Sequence, residues 1–165
     1  HEGVRAVVII PAEELFRKNF TVADITGALV ADRSGWSITG GDYHSGSWPE
    51  VIDDSTDTFM RPWGSPIMFT ITFDKEYEMT GLRITARTDN ASYQNYQPNA
   101  ITIEYSLNGE DYTELGTAAS ADGSLLKNVP SSYVALYGSQ KMKYIRITAS
   151  YGSNMGVGDF NIYAK

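Results

Sequence analysis

The sequence predicts an all-β fold, a sandwich or barrel of antiparallel strands, on three observations. Apolar side chains alternate at period two in five separate segments from residue 67 onward, the signature of strands with one face in a core. An Asn-Gly pair at 108–109 sits where a hairpin would turn. Only Ala12 to Lys18 carries the punctuation of a helix, and that stretch is one or two turns long. At 165 residues the chain has the size of one domain, able to bury about 70% of its unfolded surface in a single core.

Residues 1–28 differ in texture from the rest. Their longest apolar run, Ala6 to Ile10, is stopped by Pro11, which opens the short helix candidate with Glu13 and Glu14 in its first turn and Arg17 and Lys18 in its last. This part reads either as a leading strand and connector or as the remnant of a preceding domain, with the main domain at 29–165. Gly40 to Trp48 is a long turn-rich loop. Ile67, Phe69, Ile71 and Phe73 then share one face, with Met68, Thr70 and Thr72 on the other. Leu82, Ile84 and Ala86 repeat the pattern, followed by Ile101, Ile103 and Tyr105, by Ile145, Ile147 and Ala149, and by Phe160, Ile162 and Ala164. Between Tyr105 and Leu115, Asn108-Gly109 suits a type I′ turn, which needs positive φ at both central residues.

Composition removes several function classes. With no cysteine, thiol nucleophiles, thiolate metal sites and disulfides are excluded. A net charge of -7, from 13 Lys and Arg against 20 Asp and Glu, opposes nucleic acid and anionic membranes, whose affinity comes from basic residues. No apolar run approaches the roughly 20 residues that a membrane-spanning helix needs. The start at His1-Glu2-Gly3 reads as a trimmed or mature N-terminus. Two histidines, no Ser, His and Asp arrangement of recognisable spacing, and acids that fall mostly in turns predict a domain that catalyses nothing. Eleven Tyr and three Trp in a chain only 20% charged fit an extracellular or cell-surface binding domain.

The run Val51-Ile52-Asp53-Asp54-Ser55-Thr56-Asp57-Thr58-Phe59-Met60 resembles the hallmark of discoidin domains (coagulation-factor type C) and of family 32 carbohydrate-binding modules, roughly Ala-Ile-Asp-Gly-Asp, two variable residues, then Thr-x-Trp. Asp53 and Thr58 match at the right spacing, whereas Asp54 stands where the family usually has Gly and Met60 where it usually has Trp. Trp36, the stretch from Tyr105 to Tyr112, and Gly158-Asp159-Phe160-Asn161-Ile162-Tyr163 extend the likeness over about residues 30–165. The resemblance implies a jelly-roll β-sandwich (galactose-binding-domain-like) of two antiparallel sheets. It further implies a non-catalytic, secreted or cell-surface module, monomeric within a larger chain, that recognises a glycan. Protein binding in cell adhesion is the rival role, and insertion into a membrane is not expected.

Calcium takes about six to eight hard oxygen ligands. The resemblance implies one structural Ca2+ tying the loop at 50–58 to the last strand, through a carbonyl near Glu50, the Asp53 carboxylate, a carbonyl at Ser55, both oxygens of Thr58, the Gly158 carbonyl and the acid at Asp159. The same Asp53 and Thr58 could instead cap a turn through side-chain to backbone hydrogen bonds. Sugar sites pair an aromatic platform with a few convergent polar groups. The loop after Ile84 offers Arg87, Asn90, Tyr93, Asn95 and Tyr96, and the resemblance implies that Arg87 and an Asn of this loop hold ring hydroxyls. His44, Trp48 and Trp63 are further candidates. Each has a plainer alternative: Arg87 pairing with Asp89, Trp48 or Trp63 plugging an end of the sandwich, and His44 as an ordinary loop residue. The Tyr151 to Met155 loop also lies where family ligand contacts occur.

Overall fold

The computed structural model describes residues 16–88, 92, 97–129, 131–152 and 154–165. Among these residues there are ten strands: β1 Ala28–Leu29, β2 Ser37–Gly40, β3 Tyr43–Gly46, β4 Met60–Pro62, β5 Ile67–Ala86, β6 Ala100–Ser106, β7 Thr113–Ala119, β8 Leu126–Val129, β9 Ser132–Ser150 and β10 Val157–Ala164. Single 3-10 turns at Val22–Asp24, Trp48–Val51 and Ser120–Asp122 interrupt them. No helix among the described residues is long and apolar enough to cross a membrane. The predicted helix over Ala12 to Lys18 lies partly outside the described residues, and its described end, Phe16 to Lys18, is not helical.

All the strand pairings are antiparallel, and two long strands pass through both layers of a sandwich. The first half of β5 pairs with β2 and with the second half of β9, which continues to β6 and β7. The second half of β5 pairs with β10 and with the first half of β9, which carries β8, while β10 also pairs with β1 and β4. The two apolar segments at 67–73 and 82–86 are therefore one strand. Its register slips between Thr72 and Tyr77 and again between Met79 and Gly81, which lets it bend from one layer into the other. At the bend, Trp36 packs edge-on against Phe73 with ring centroids 4.6 Å apart, and its indole N–H and the Tyr77 hydroxyl both donate to Asp74, at 3.2 and 2.8 Å.

The alternation in the sequence corresponds to the core. Phe69, Ile71, Phe73, Leu82, Ile84, Ile101, Ile103, Ile145, Ile147, Phe160 and Ile162 are all buried in one cluster, with Tyr105 and Ala164 at its margin. Met60 is fully buried in the same cluster, so the position where the hallmark has Trp is filled by a flexible side chain. Strand β10 is buried along nearly its whole length, because both of its faces are covered. Phe160 and Ile162 face the main core, while Tyr163 joins Phe20, Val134 and Leu136 in a second cluster. Val22, Ile25 and Leu29 pack against that second cluster, so the leading segment lies over the outer face of the sheet. Asn161 donates to the Val30 carbonyl at 2.9 Å and fastens it there.

The predicted hairpin is present as β6 and β7, but its turn differs from type I′. Only Gly109 has positive φ (81°), and Asn108 does not. The connection at 107–112 is longer than a two-residue turn, and Asn108 organises it through its side chain, whose Oδ1 accepts from the Glu110 and Asp111 amides at 2.9 Å each. Asn here folds a loop by imitating a backbone turn.

Candidate functional site

The connections from β4 to β5 and from β9 to β10 meet at one end of the sandwich. Strand β4 brings Arg61 and Pro62 alongside β3, and Trp63 follows, its amide donating to the Asp42 carbonyl at 2.9 Å. The indole is 65% exposed, which for so large an apolar surface costs solvation unless something covers it. One neighbour is His44, stacked on it at 5.4 Å between ring centroids and 14° between planes. From the opposite loop, the Tyr151 hydroxyl donates to the Gly64 carbonyl, and Asn154 Oδ1 accepts from the Arg61 guanidinium at 3.0 Å. Arg61, Trp63, Gly64, Tyr151, Asn154 and Met155 line a groove of about 270 Å3. Burial pushes the Tyr151 phenol up from its ordinary value, and the nearby Arg61 charge opposes that rise. Arg61 forms no ion pair among the described residues. The groove thus combines an exposed indole, a guanidinium and an amide, which can stack on a ring and direct hydrogen bonds to its substituents.

The other predicted ligand residues fall in different places. Arg87, just past β5, is buried, with its guanidinium 3.6 Å from the centroid of the Phe59 ring, and its amide donates to the Gly156 carbonyl at 3.3 Å. Thr88 donates to the Thr56 carbonyl at 2.8 Å, tying this loop to the 56–59 stretch. Asn90, Tyr93, Asn95 and Tyr96 lie outside the described residues. Trp48 is not on the surface. It packs against Phe69 with centroids 5.3 Å apart, donates to the Gly41 carbonyl at 2.8 Å and covers Gly40, where a Cβ would come within 2.3 Å of the indole. It is part of the main core cluster. Arg61 is not among the ligand residues expected from the sequence, although Arg61-Pro62-Trp63-Gly64 sets a cation two residues from an aromatic in a turn.

Beside this end lies the Asp53 loop. Asp53 accepts from the Ser55 amide at 3.0 Å and from the Thr58 hydroxyl at 2.5 Å. That hydroxyl also lies 3.5 Å from the carbonyls of Glu50 and Ser55. Oxygens of Glu50, Asp53, Ser55 and Thr58 therefore converge, as a hard cation would require. Asp159 does not complete the set. It is buried in β10, where Gly158 occupies a register slip, and both its carboxylate oxygens are engaged: one by Arg33 at 2.7 Å, the other by Arg83 at 3.2 Å. Burial pushes the Asp159 carboxyl up, while hydrogen bonds and charge from Arg33, and then from Arg83, pull it down. Among the described residues, no three His, Cys, Asp or Glu side chains gather as a metal-binding group.

The chain is thus a two-layer antiparallel sandwich with a polar and aromatic groove on its end loops. The sequence model of the F5/8 type C domain matches residues 32–160, and the chain belongs to that family. In fold it is similar to CpGH89CBM32-5 from Clostridium perfringens, solved in complex with GalNAc-β-1,3-galactose (14% identity, TM-score 0.67, covering 80% of this chain and 97% of that one). CBM32-3 from a family 31 glycoside hydrolase of the same organism is 19% identical, with a TM-score of 0.68 and coverage of 83% and 95%. The family 32 module of Clostridium perfringens NanJ, in complex with galactose, is 15% identical, with a TM-score of 0.64 and coverage of 79% and 95%. No curated protein matches the chain.

Proposed function

We propose that this domain is a non-catalytic carbohydrate-binding module that takes a glycan in the groove between Trp63 and Asn154, outside the cell or at its surface. The observation that carries the reading is the exposed Trp63 indole, braced by His44 and set beside Arg61 and Asn154. Sugar rings bind to such combinations because their C–H faces stack on an aromatic while their hydroxyls take directional hydrogen bonds. The galactose and GalNAc-containing ligands of the structural neighbours support the choice of ligand class. The groove lining includes no carboxylate pair among the described residues, so it offers none of the acid and base groups that glycoside hydrolysis requires. With one or two rings buried on an open surface, affinity falls in the millimolar to micromolar range, on the order of 4 to 8 kcal/mol.

The test is titration calorimetry with galactose- and GalNAc-terminated oligosaccharides, preceded by a glycan array. The expected result is binding that weakens about tenfold or more in Trp63→Ala and in Arg61→Ala, with the melting temperature of Trp63→Ala unchanged. An array that stays silent while the domain captures a protein ligand, or a glycan hit indifferent to both substitutions, overturns the assignment.

A further inference from the structure

We infer that in this chain the Arg33 guanidinium performs the tie that the implied calcium ion would make between the Asp53 loop and the last strand, and that the domain folds and works without a divalent cation. The implied donors form two groups. Glu50, Asp53, Ser55 and Thr58 close on one another around the Thr58 hydroxyl, whose one proton is given to Asp53. Asp159, the acid meant to come across from β10, is turned to guanidinium instead.

Arg33 sits where those two groups would be bridged. Its side chain is 1% exposed. One terminal nitrogen donates to Asp159 and to the Phe160 carbonyl, each at 2.7 Å, and the other donates to Asp54 at 2.5 Å. A single cation thereby joins the loop at 54 to the strand at 159–160, the two pieces of chain that a metal would link. The guanidinium geometry suits this, since its fixed fork serves several oxygens at once.

The departures from the hallmark sequence fit the same reading. Asp54 holds φ at +61°, a left-handed conformation that glycine adopts without strain and most other residues avoid. The position that usually carries Gly therefore keeps an acid at some backbone cost, and that acid is the one Arg33 holds. The short Asp159 side chain limits reach toward the loop while leaving the carboxylate well placed for Arg33 and Arg83. The charges balance as they stand, two guanidiniums against Asp54 and Asp159. A divalent ion would have to pull Asp159 away and cost buried Arg33 its one buried carboxylate, which is unfavourable.

The test uses the whole chain. Melting is followed with millimolar calcium chloride and with EDTA, and calcium is titrated calorimetrically. The expected result is a melting temperature that moves by less than about 1 °C between the two conditions and no saturable heat of calcium binding. A rise of several degrees with calcium, or a saturable heat abolished in Asp53→Ala, overturns the inference. Arg33→Met leaves one oxygen of buried Asp159 without a partner, a loss large enough to stop the domain folding. Asp54→Asn is therefore the second arm, because Asn tolerates the left-handed backbone as well as Asp does. It is expected to melt about 2 °C lower in both conditions, and a variant as stable as the parent, or more so, argues against the tie.

Discussion

Trp48 and Trp63 stand fifteen positions apart in the same turn-rich region, yet their roles divide. Trp48→Ala removes an indole packed on Phe69 and over Gly40, so it is expected to cost about 3 to 5 kcal/mol. Trp63→Ala removes an exposed ring and is expected to cost ligand affinity and little stability. Urea unfolding and calorimetric titration of the two variants separate these outcomes. Glu104 makes a second residue-level prediction. Arg146 donates to both its oxygens, at 2.9 and 2.7 Å, and stacks on Tyr112. The hydrogen bonds and charge of Arg146 hold the Glu104 carboxyl below its ordinary value. A carboxyl depressed in the folded state contributes stability that is present above its unfolded value of about 4.3 and lost as pH falls through the lower folded value. Glu104→Gln is expected to lower the melting temperature by a degree or two at neutral pH, and the gap should close as pH falls through the lowered folded value when both proteins are melted across an acid series.

At the scale of elements, the leading segment is tied to the sandwich by packing. Its described residues are not a separate unit in packing: Phe16 reaches the main core beside Tyr137, and Phe20 anchors the cluster on the outer face of β10. Phe20→Ala is therefore expected to destabilise the whole domain by about 3 kcal/mol, read from the urea midpoint. A midpoint equal to the parent's would mark the segment as dispensable. The strands themselves were legible because a half-buried strand writes its burial directly as alternation. That rule also explains what stayed hidden. Alternation says which side chains face the core and nothing about which strand lies next to which, so no local pattern pairs Arg33 with Asp159 across 126 positions. His44 and Trp63 could be picked out singly as loop aromatics. Their stacking on each other, and the convergence of Arg61 with Asn154, depend on how β3, β4 and the loop before β10 come together. The turn at Asn108 was legible as a hairpin and misread in type, because the Asn side chain can replace a backbone turn with a longer loop held by its own carbonyl.

At the scale of the molecule, β5 and β9 belong to both layers, so neither layer can come apart while the other keeps its hydrogen bonds. The expected result is one cooperative unfolding transition, with far-UV circular dichroism and tryptophan fluorescence tracing the same curve in urea. Two separated midpoints would contradict it. The same continuity keeps the end loops on a stiff support, which suits a groove whose parts come from β4 and from the connection between β9 and β10.

The place of β10 in this arrangement also bears on how the protein is made. Residues 157–164 pair with β1, β4 and β5, and their side chains fill the middle of the core, although they are among the last of these residues to leave the ribosome. Until they emerge, the earlier strands have no centre to close around, so the domain closes only once this segment is in place.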